Sequence, residues 1–188
     1  MTLPTNSPIV LFIHGAQHTP AHCKPLQDAL AARNITTIVP RMPSTASSLT
    51  DDPATLGDLE ADTSTIHTSL APYPTNPIMI IAHSFGGLAA IQASSLPNIK
   101  HIIFLSAGIP KKGLSIGETM QSLSTSLPEG ASEFDFTNLT AKVKSVDLTI
   151  DTLFDPESRN DPRVRHFVET MMPVSLKSYS QVAHIPRR

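Results

Sequence analysis

A continuous apolar run that ends in a serine between small residues constrains this chain more than any other feature. Residues 78–87 read IMIIAHSFGG, with Ala82 and Gly86 two positions on either side of Ser84. The apolar run predicts a buried parallel strand, and the glycines after the serine predict a sharp turn into a helix. Bulky side chains at positions 82 and 86 would collide across this turn. The pattern therefore predicts that Ser84 is held in a strained backbone conformation at the carboxyl edge of a sheet.

The first apolar strand of the chain ends in the sequence His14-Gly15-Ala16, about seventy positions before the serine. Gly15 lets the backbone turn sharply, so that the amide of Ala16 points into the space above Ser84. The amide of Phe85 is expected to point there too. Two N–H groups aimed at one point form an oxyanion hole, which stabilises the negative charge that develops when a serine attacks a carbonyl. We expect His14 to fix this loop by a hydrogen bond, with a solvent-facing side chain as the alternative.

These two motifs, HGAQH at 14–18 and AHSFGG at 82–87, resemble those of the α/β-hydrolase superfamily. The resemblance is closest to the branch that contains plant methylesterases, hydroxynitrile lyases and many microbial esterase-like proteins. It implies one α/β domain over 1–188, with a mostly parallel sheet, helices on both faces, a core at 8–107 and a lid-like region at 109–185. It also implies that Ser84 is a nucleophile served by an oxyanion hole from the Ala16 and Phe85 amides.

The apolar pattern agrees with this fold. Four runs are apolar throughout, which is typical of strands covered on both faces by helices. They predict strands at Ile9–Ile13, Thr36–Val39, Ile78–Ala82 and Ile99–Leu105, separated by helices at Pro20–Arg33, Pro53–Leu70 and Phe85–Leu96. The acidic residues near the start of the second helix are interpreted as a solvated face that complements the helix dipole. They are Asp51, Asp52, Asp58, Glu60 and Asp62.

The pattern changes after Leu105, in the part that the resemblance implies to be a lid over the site. Helices are predicted at Gly117–Leu127 and Arg163–Met172, and Val146–Leu153 is interpreted as a strand or part of a hairpin. The lid would gain an apolar inner face from Met120, Leu123, Phe134, Phe136, Leu153, Phe154, Phe167, Met171 and Met172. We expect most of these side chains to pack the lid onto the body.

In the family, two further strand–helix units follow the lid and carry the catalytic acid and histidine. The first of these strands is expected just after position 186, where the sequence stops two residues later. The expected fold is therefore C-terminally truncated, as in a fragment of a longer protein. Formally, Ser84, Asp155 (or Asp151) and His184 follow the family order of serine, acid and histidine. A truncated sheet would expose the apolar edge of its last strand, which invites a homodimer unless the lid covers it.

Composition excludes several classes of partner. The net charge of −2 gives no electrostatic footprint for nucleic acid or an anionic membrane surface, and no apolar run reaches membrane-spanning length. The single cysteine, Cys23, excludes an internal disulfide and predicts a cytoplasmic protein. Three histidines recur at four-residue spacing (His14, His18, His22), but a strand end and a proline separate them, so we expect no metal site. No glycine spacing predicts a nucleotide cofactor, and no cofactor is expected.

Three functions stay open on the sequence. The first is a serine hydrolase that acts on a small ester or related acyl substrate through Ser84, with Asp155 and His184 as candidate acid and base. The second is a catalytically impaired, hydrolase-like protein that binds a small molecule, because a serine without an imidazole partner is a poor nucleophile at neutral pH. The third is a lyase of the hydroxynitrile-lyase type.

Overall fold

A four-stranded parallel sheet forms the body of the molecule. The computed structural model describes residues 7–123 and 130–184. The strands are β1 (Ile9–Ile13), β2 (Thr36–Ile38), β3 (Ile78–His83) and β4 (Ile99–Leu105), in the order β2-β1-β3-β4. Each pair is parallel, and Ile9 of β1 lies opposite Ile78 of β3. The prediction of a mostly parallel α/β sheet is confirmed.

Three helices connect these strands, and each is shorter than its apolar pattern suggested. They are α1 (Lys24–Ala31), α2 (Leu59–Leu70) and α3 (Gly86–Ala93), with 3-10 turns at Pro20–Cys23 and Pro53–Thr55. The second helix begins late because Leu56 is extended, with ψ of 137°, and because the Asp58 side chain accepts a hydrogen bond from the Ala61 amide as the N-cap. Among the described residues, no helix is both long and apolar enough to cross a membrane.

The core lies between the sheet and the two helices that follow β2 and β3. Every side chain of β1 is buried, and α3 is so apolar that seven of its eight residues are buried. From α2, the residues Leu59, Ile66 and Leu70 pack into the same cluster. Fully burying each such aliphatic side chain contributes about 1.5–3 kcal/mol to folding, so this layer sets the position of the strand ends.

The segment after β4 forms a second layer, which we call the lid. It contains α4 (Ile116–Ser122), β5 (Ser132–Asp135), β6 (Thr140–Val143), α5 (Val146–Leu153), a 3-10 turn (Pro156–Asn160), α6 (Pro162–Glu169), β7 (Val174–Ser175) and α7 (Lys177–Ser180). The strands β5, β6 and β7 make a small antiparallel sheet. Of the helix predicted at Gly117–Leu127, the last four positions lie outside the described residues.

The interpretation of Val146–Leu153 as a strand or part of a hairpin is wrong, because this segment is helix α5. The hydroxyl of Ser145 caps it by accepting a hydrogen bond from the Leu148 amide. Ile150 then packs on Val168 and Met171 in a small core of the lid's own, joined by Phe154 and Phe167. Of the nine residues expected on the apolar inner face, Phe154, Phe167 and Met171 thus pack within the lid itself, whereas Leu123, Phe136 and Leu153 are exposed.

The last strand of the parallel sheet has an exposed apolar edge. Ile103 and Leu105 are 46 % and 49 % exposed, and Phe104 is also exposed. The continuous apolar run of β4 suggested cover on both faces, but the described part of the lid does not cover this strand. Apolar content alone cannot distinguish an edge strand from a central one.

We expect this edge to pair with a second copy of the chain, because unpaired N–H and C=O groups beside apolar side chains are a template for strand addition. The substitution Ile103→Lys should weaken concentration-dependent self-association, measured by sedimentation velocity over a concentration series. Leu49→Lys is the matched control, because Leu49 is 69 % exposed in a loop away from the sheet. Equal self-association in the two variants would contradict the role of this edge.

Candidate active site

Ser84 occupies a sharp turn between β3 and α3. Its φ of 51° lies in the left-handed region, where a residue with a side chain is strained by about 1–3 kcal/mol. Three backbone hydrogen bonds hold it there. The Ser84 amide donates to the Leu105 carbonyl at 3.2 Å, and the Ser84 carbonyl accepts from the amides of Gly87 at 3.2 Å and Gly108 at 2.9 Å. The strained conformation expected from the sequence is therefore present.

Gly86 is required by close contact with the neighbouring strand. A Cβ atom at this position would lie 2.6 Å from the carbonyl oxygen of Ile13 and 2.8 Å from that of His14. Both neighbours are backbone atoms, so they cannot rotate away as a side chain could. The first turn of α3 therefore packs directly on the end of β1.

Gly15 plays the equivalent part on the other side of the turn. A Cβ atom there would lie 2.9 Å from the Ser84 Cβ and 3.1 Å from the His83 Nδ1. The expected reason for this glycine, a sharp turn of the backbone, is not the one observed, because the left-handed residue of the loop is Gln17, with φ of 64°. Gly15 instead lets the loop approach Ser84 closely.

Two backbone amides near the serine have no hydrogen-bond acceptor among the described residues. They belong to Ala16, in the loop after β1, and to Phe85, the residue that precedes α3. Close to them, the amide of Ser84 donates to the Leu105 carbonyl and that of His18 donates to the Gly15 carbonyl at 3.3 Å. The Ala16 and Phe85 amides are thus the donors available to an oxyanion at Ser84.

The serine lines a cavity of about 180 Å³ between body and lid. The body contributes Ala16, His18 and Ser84 to its wall, and the lid contributes Phe134, Met171 and Tyr179. The wall is mostly apolar with a few polar groups beside the serine, which is typical of a small-molecule site.

His18 is the imidazole on the wall of this cavity. Its spacing in the sequence suggested only a metal ligand, and not a residue beside Ser84. Its Nδ1 donates a hydrogen bond to the Ala16 carbonyl at 2.6 Å, which leaves the lone pair on Nε2. Burial lowers the pKa of His18 to about 4, so the ring is neutral at physiological pH. His83 packs against it, with ring centroids 5.4 Å apart.

His22 joins the loop after β1 to the lid. Its Nδ1 accepts a hydrogen bond from the Thr19 amide at 2.9 Å, and its Nε2 donates to the Phe167 carbonyl of α6 at 3.0 Å. The Phe167 ring also meets the rings of His18 and His22 edge to face. The cavity wall is thereby tied to the lid.

A buried polar cluster lies behind the loop that carries Ala16. His14 is buried and its Nδ1 donates to the Gly15 carbonyl at 3.1 Å, so the expected hydrogen bond is present. Its Nε2 and the Thr45 hydroxyl are buried and without a partner among the described residues. Both residues line a cavity of about 10 Å³, which has room for about one water molecule. Burial lowers the pKa of His14 to about 4.

Asp62 lies on the wall of the same small cavity. The interpretation of this carboxylate as part of a solvated face is wrong, because Asp62 is only 2 % exposed. Its oxygens accept from the amide of Ser44 at 2.9 Å and from the Ser44 hydroxyl at 2.7 Å. The helical period indicates this burial, because Asp62 lies three positions after Leu59 and four before Ile66, on the buried face of α2.

The structure does not assemble the expected serine, acid and histidine. The backbone amide of His184 donates to the Gln92 side chain at 3.3 Å, two turns along α3 from Ser84, and the His184 side chain is exposed. Asp155 is exposed and caps the 3-10 turn of the lid by accepting from the Ser158 amide at 2.9 Å. Neither residue lines the serine cavity.

The buried carboxylate predicts a pH dependence. Burial raises the pKa of Asp62 from 3.8 to about 6, so the folded protein holds this proton more tightly than the unfolded chain. Asp62 therefore costs stability as pH rises from about 4 to about 6. Asp62→Asn can still accept from the Ser44 amide through its Oδ1 and donate from its Nδ2 to the Ser44 hydroxyl oxygen. It should remove this cost, worth about 3 kcal/mol at neutral pH. Urea unfolding between these pH values gives the difference in free energy of unfolding between wild type and variant.

The matched control is Asp58→Asn, in the N-cap of the same helix. Hydrogen bonding from the Ala61 amide lowers the pKa of Asp58, so its contribution should weaken as pH falls, the opposite trend. A difference between wild type and Asp62→Asn that does not change with pH would contradict the assignment.

Comparison with known proteins places this geometry in a family. A sequence model described as the alpha/beta hydrolase family matches residues 10–187. No curated protein matches the sequence. Several solved structures do match it.

A pyrethroid hydrolase from Sphingobium faniae JZ-2 is 17 % identical with a TM-score of 0.71, over 94 % of this chain and 71 % of that chain. Tomato methylketone synthase I complexed with 2-tridecanone is 13 % identical with a TM-score of 0.75, over 96 % and 73 %. An extracellular alpha/beta-hydrolase from a Paenibacillus species is 16 % identical with a TM-score of 0.69, over 95 % and 71 %. These similarities show a shared fold, and with the match over residues 10–187 they establish that the chain belongs to the alpha/beta hydrolase family.

Proposed function

We propose that the protein is a serine hydrolase that acts on a small ester or related acyl substrate through Ser84. The observation that carries this proposal is the strained turn at Ser84, at the wall of a cavity of about 180 Å³, beside two backbone amides that have no acceptor in the described part of the chain. A strained residue at a cavity wall is a costly feature that packing alone does not require.

In the proposed reaction, the Ser84 Oγ attacks the acyl carbon and loses its proton to a base. The carbonyl oxygen becomes an oxyanion, which the amides of Ala16 and Phe85 stabilise, each donor contributing about 3 kcal/mol. The alcohol leaves with a proton, and water then releases the acid from the acyl-serine. The N-terminus of α3 adds a favourable dipole at the same point.

His18 is the candidate base in this proposal, because its imidazole lines the serine cavity and its Nε2 has no hydrogen-bond partner among the described residues. Its pKa of about 4 keeps it neutral and able to accept a proton, but makes it a weak base at neutral pH. We therefore expect slow acylation of Ser84 by the chain as it stands. His184 and Asp155 remain candidates only if the segment that carries them rearranges.

A non-catalytic, ligand-binding protein is the second candidate function. It is favoured by the finding that no described histidine or carboxylate donates to or accepts from the Ser84 hydroxyl. Loss of the triad base from a serine hydrolase costs about 10⁶ in turnover, and the remaining cavity would still bind a small molecule.

A reducing cytoplasmic location stays a prediction from the single cysteine.

Reaction with a fluorophosphonate probe, followed by intact mass, tests the hydrolase proposal. We expect a single adduct on the wild-type chain that Ser84→Ala abolishes, since the probe reacts with activated serines. If His18 is the base, His18→Gln should slow the labelling at least about tenfold. His184→Ala is the matched control and should leave the rate unchanged, because His184 is exposed and away from the cavity.

A folded wild-type chain that forms no adduct would overturn the hydrolase proposal and leave the binding protein. Loss of labelling in His184→Ala but not in His18→Gln would instead indicate that the base comes from the C-terminal segment. Circular dichroism of each variant distinguishes loss of reactivity from loss of the fold.

A further inference from the structure

A second and larger cavity adjoins the serine cavity. It has a volume of about 600 Å³ and lies on the outer side of the lid. We call it the outer groove. Its apolar walls are formed by Met120 of α4, Phe136 and Leu139 of the β5–β6 hairpin, and Leu176, the residue that precedes α7. The mechanism above uses none of these residues.

Two aromatic side chains line both cavities and form the boundary between them. They are Phe134 and Tyr179. Tyr179 stacks on Phe85, with ring centroids 4.5 Å apart and an angle of 14° between the planes. Phe134 is half-buried on β5 opposite the small residue Ala141, which lines the serine cavity. Tyr179 is thus held by its stack on Phe85, and Phe134 stacks on Phe136 of the outer groove, with ring centroids 6.1 Å apart.

The walls of the outer groove are held together before any ligand binds. The Leu176 amide donates to the Leu139 carbonyl at 2.6 Å, which joins α7 to the hairpin. A Cβ atom at Gly117 would lie 3.0 Å from the Tyr179 carbonyl oxygen, so α4 packs closely on α7. A groove that is already formed lowers the entropic cost of binding.

The chemistry of the groove selects an uncharged, apolar occupant. Phe136 is 77 % exposed and Leu139 is 43 % exposed, so an occupant would remove a large apolar area from water. At the rim, Glu118 accepts hydrogen bonds from the amide and hydroxyl of Ser115, and these lower the pKa of its carboxyl. The resulting negative charge disfavours an anionic end group.

We propose that the outer groove binds the distal end of a long apolar arm of the substrate, whose carbonyl lies at Ser84. The arm passes between Phe134 and Tyr179, which line both cavities. This inference rests on the proposed function for the position of the carbonyl. It narrows the substrate class to neutral esters with an extended alkyl or aryl arm, longer than the serine cavity alone would hold.

Binding of ethyl butyrate and ethyl decanoate to the Ser84→Ala variant tests the groove without requiring catalysis. Isothermal titration calorimetry should give a dissociation constant about 10²-fold lower for the decanoate, because its six additional methylene groups are at least half buried. In the same background, Phe136→Ser and Leu139→Asn should each reduce this ratio at least about threefold. Asparagine suits position 139, where φ is 51°.

Leu49→Ser is the matched control, an exposed leucine outside the groove, and should leave the ratio unchanged. Equal affinities for the two esters, or a ratio that the groove variants do not alter, would overturn the proposal. So would a dimer that Phe136→Ser dissociates, because the groove would then be an interface. Failure of Ser84 to react with the fluorophosphonate probe bears only on catalysis and leaves this binding test valid.

Discussion

The close contact between the loop after β1 and the turn after β3 is the constraint on which the site depends. Gly15 and Gly86 lie on the two sides of this contact, and neither position has room for a Cβ atom. Because the two strands are neighbours in register, their ends meet at one edge of the sheet. The loop amide of Ala16 and the helix amide of Phe85 are thereby brought to the same serine. Strain at Ser84 is sustained because the surrounding backbone hydrogen bonds leave it no alternative.

Polar groups on both sides of the loop after β1 keep it in place. Behind it, Asp62 accepts hydrogen bonds from the amide and the hydroxyl of Ser44, in the loop after β2, at the cost of burying a carboxylate. In front of it, His22 reaches the Phe167 carbonyl of the lid. A buried carboxylate rarely stabilises a fold relative to an apolar replacement, but its hydrogen bonds fix one arrangement of the chain. The lid is therefore connected to the segment after β1, and the Asp62–Ser44 pair fixes the chain across the small cavity that Ala16 also lines.

Much of the fold could be predicted because the central strands are apolar throughout. The predicted bounds of β1 and β4 match the structure, and β3 is one residue longer than predicted. The prediction for α5 is wrong because its eight residues, with scattered apolar positions, fit the period of a helix and that of a strand equally well. Its identity depends on the Ser145 cap, a local signal outside the apolar pattern, and on packing against α6, which is a tertiary feature.

The site was only partly accessible from the sequence. Ser84, Ala16 and Phe85 could be predicted as candidates because they lie within two residues of glycines that mark close backbone contacts. His18 was missed because the direction of its side chain depends on the left-handed residue before it, Gln17, which is not a glycine. Asp62 was missed because it lies among other acidic residues that are mostly solvated.

Burial disfavours the charged form of several histidines near Ser84. His14, His18 and His83 lie around one loop, and burial lowers the pKa of all three. Protonating one of them would cost desolvation and would also repel any neighbour that is charged. The cavity therefore stays uncharged at neutral pH and offers little attraction to an anion. An apolar boundary of Phe134 and Tyr179, with an apolar groove beyond it, continues this preference outward from Ser84. In the proposed reaction, the binding free energy of the substrate must then come mainly from apolar area, and catalysis must rely on backbone amides more than on a strong base.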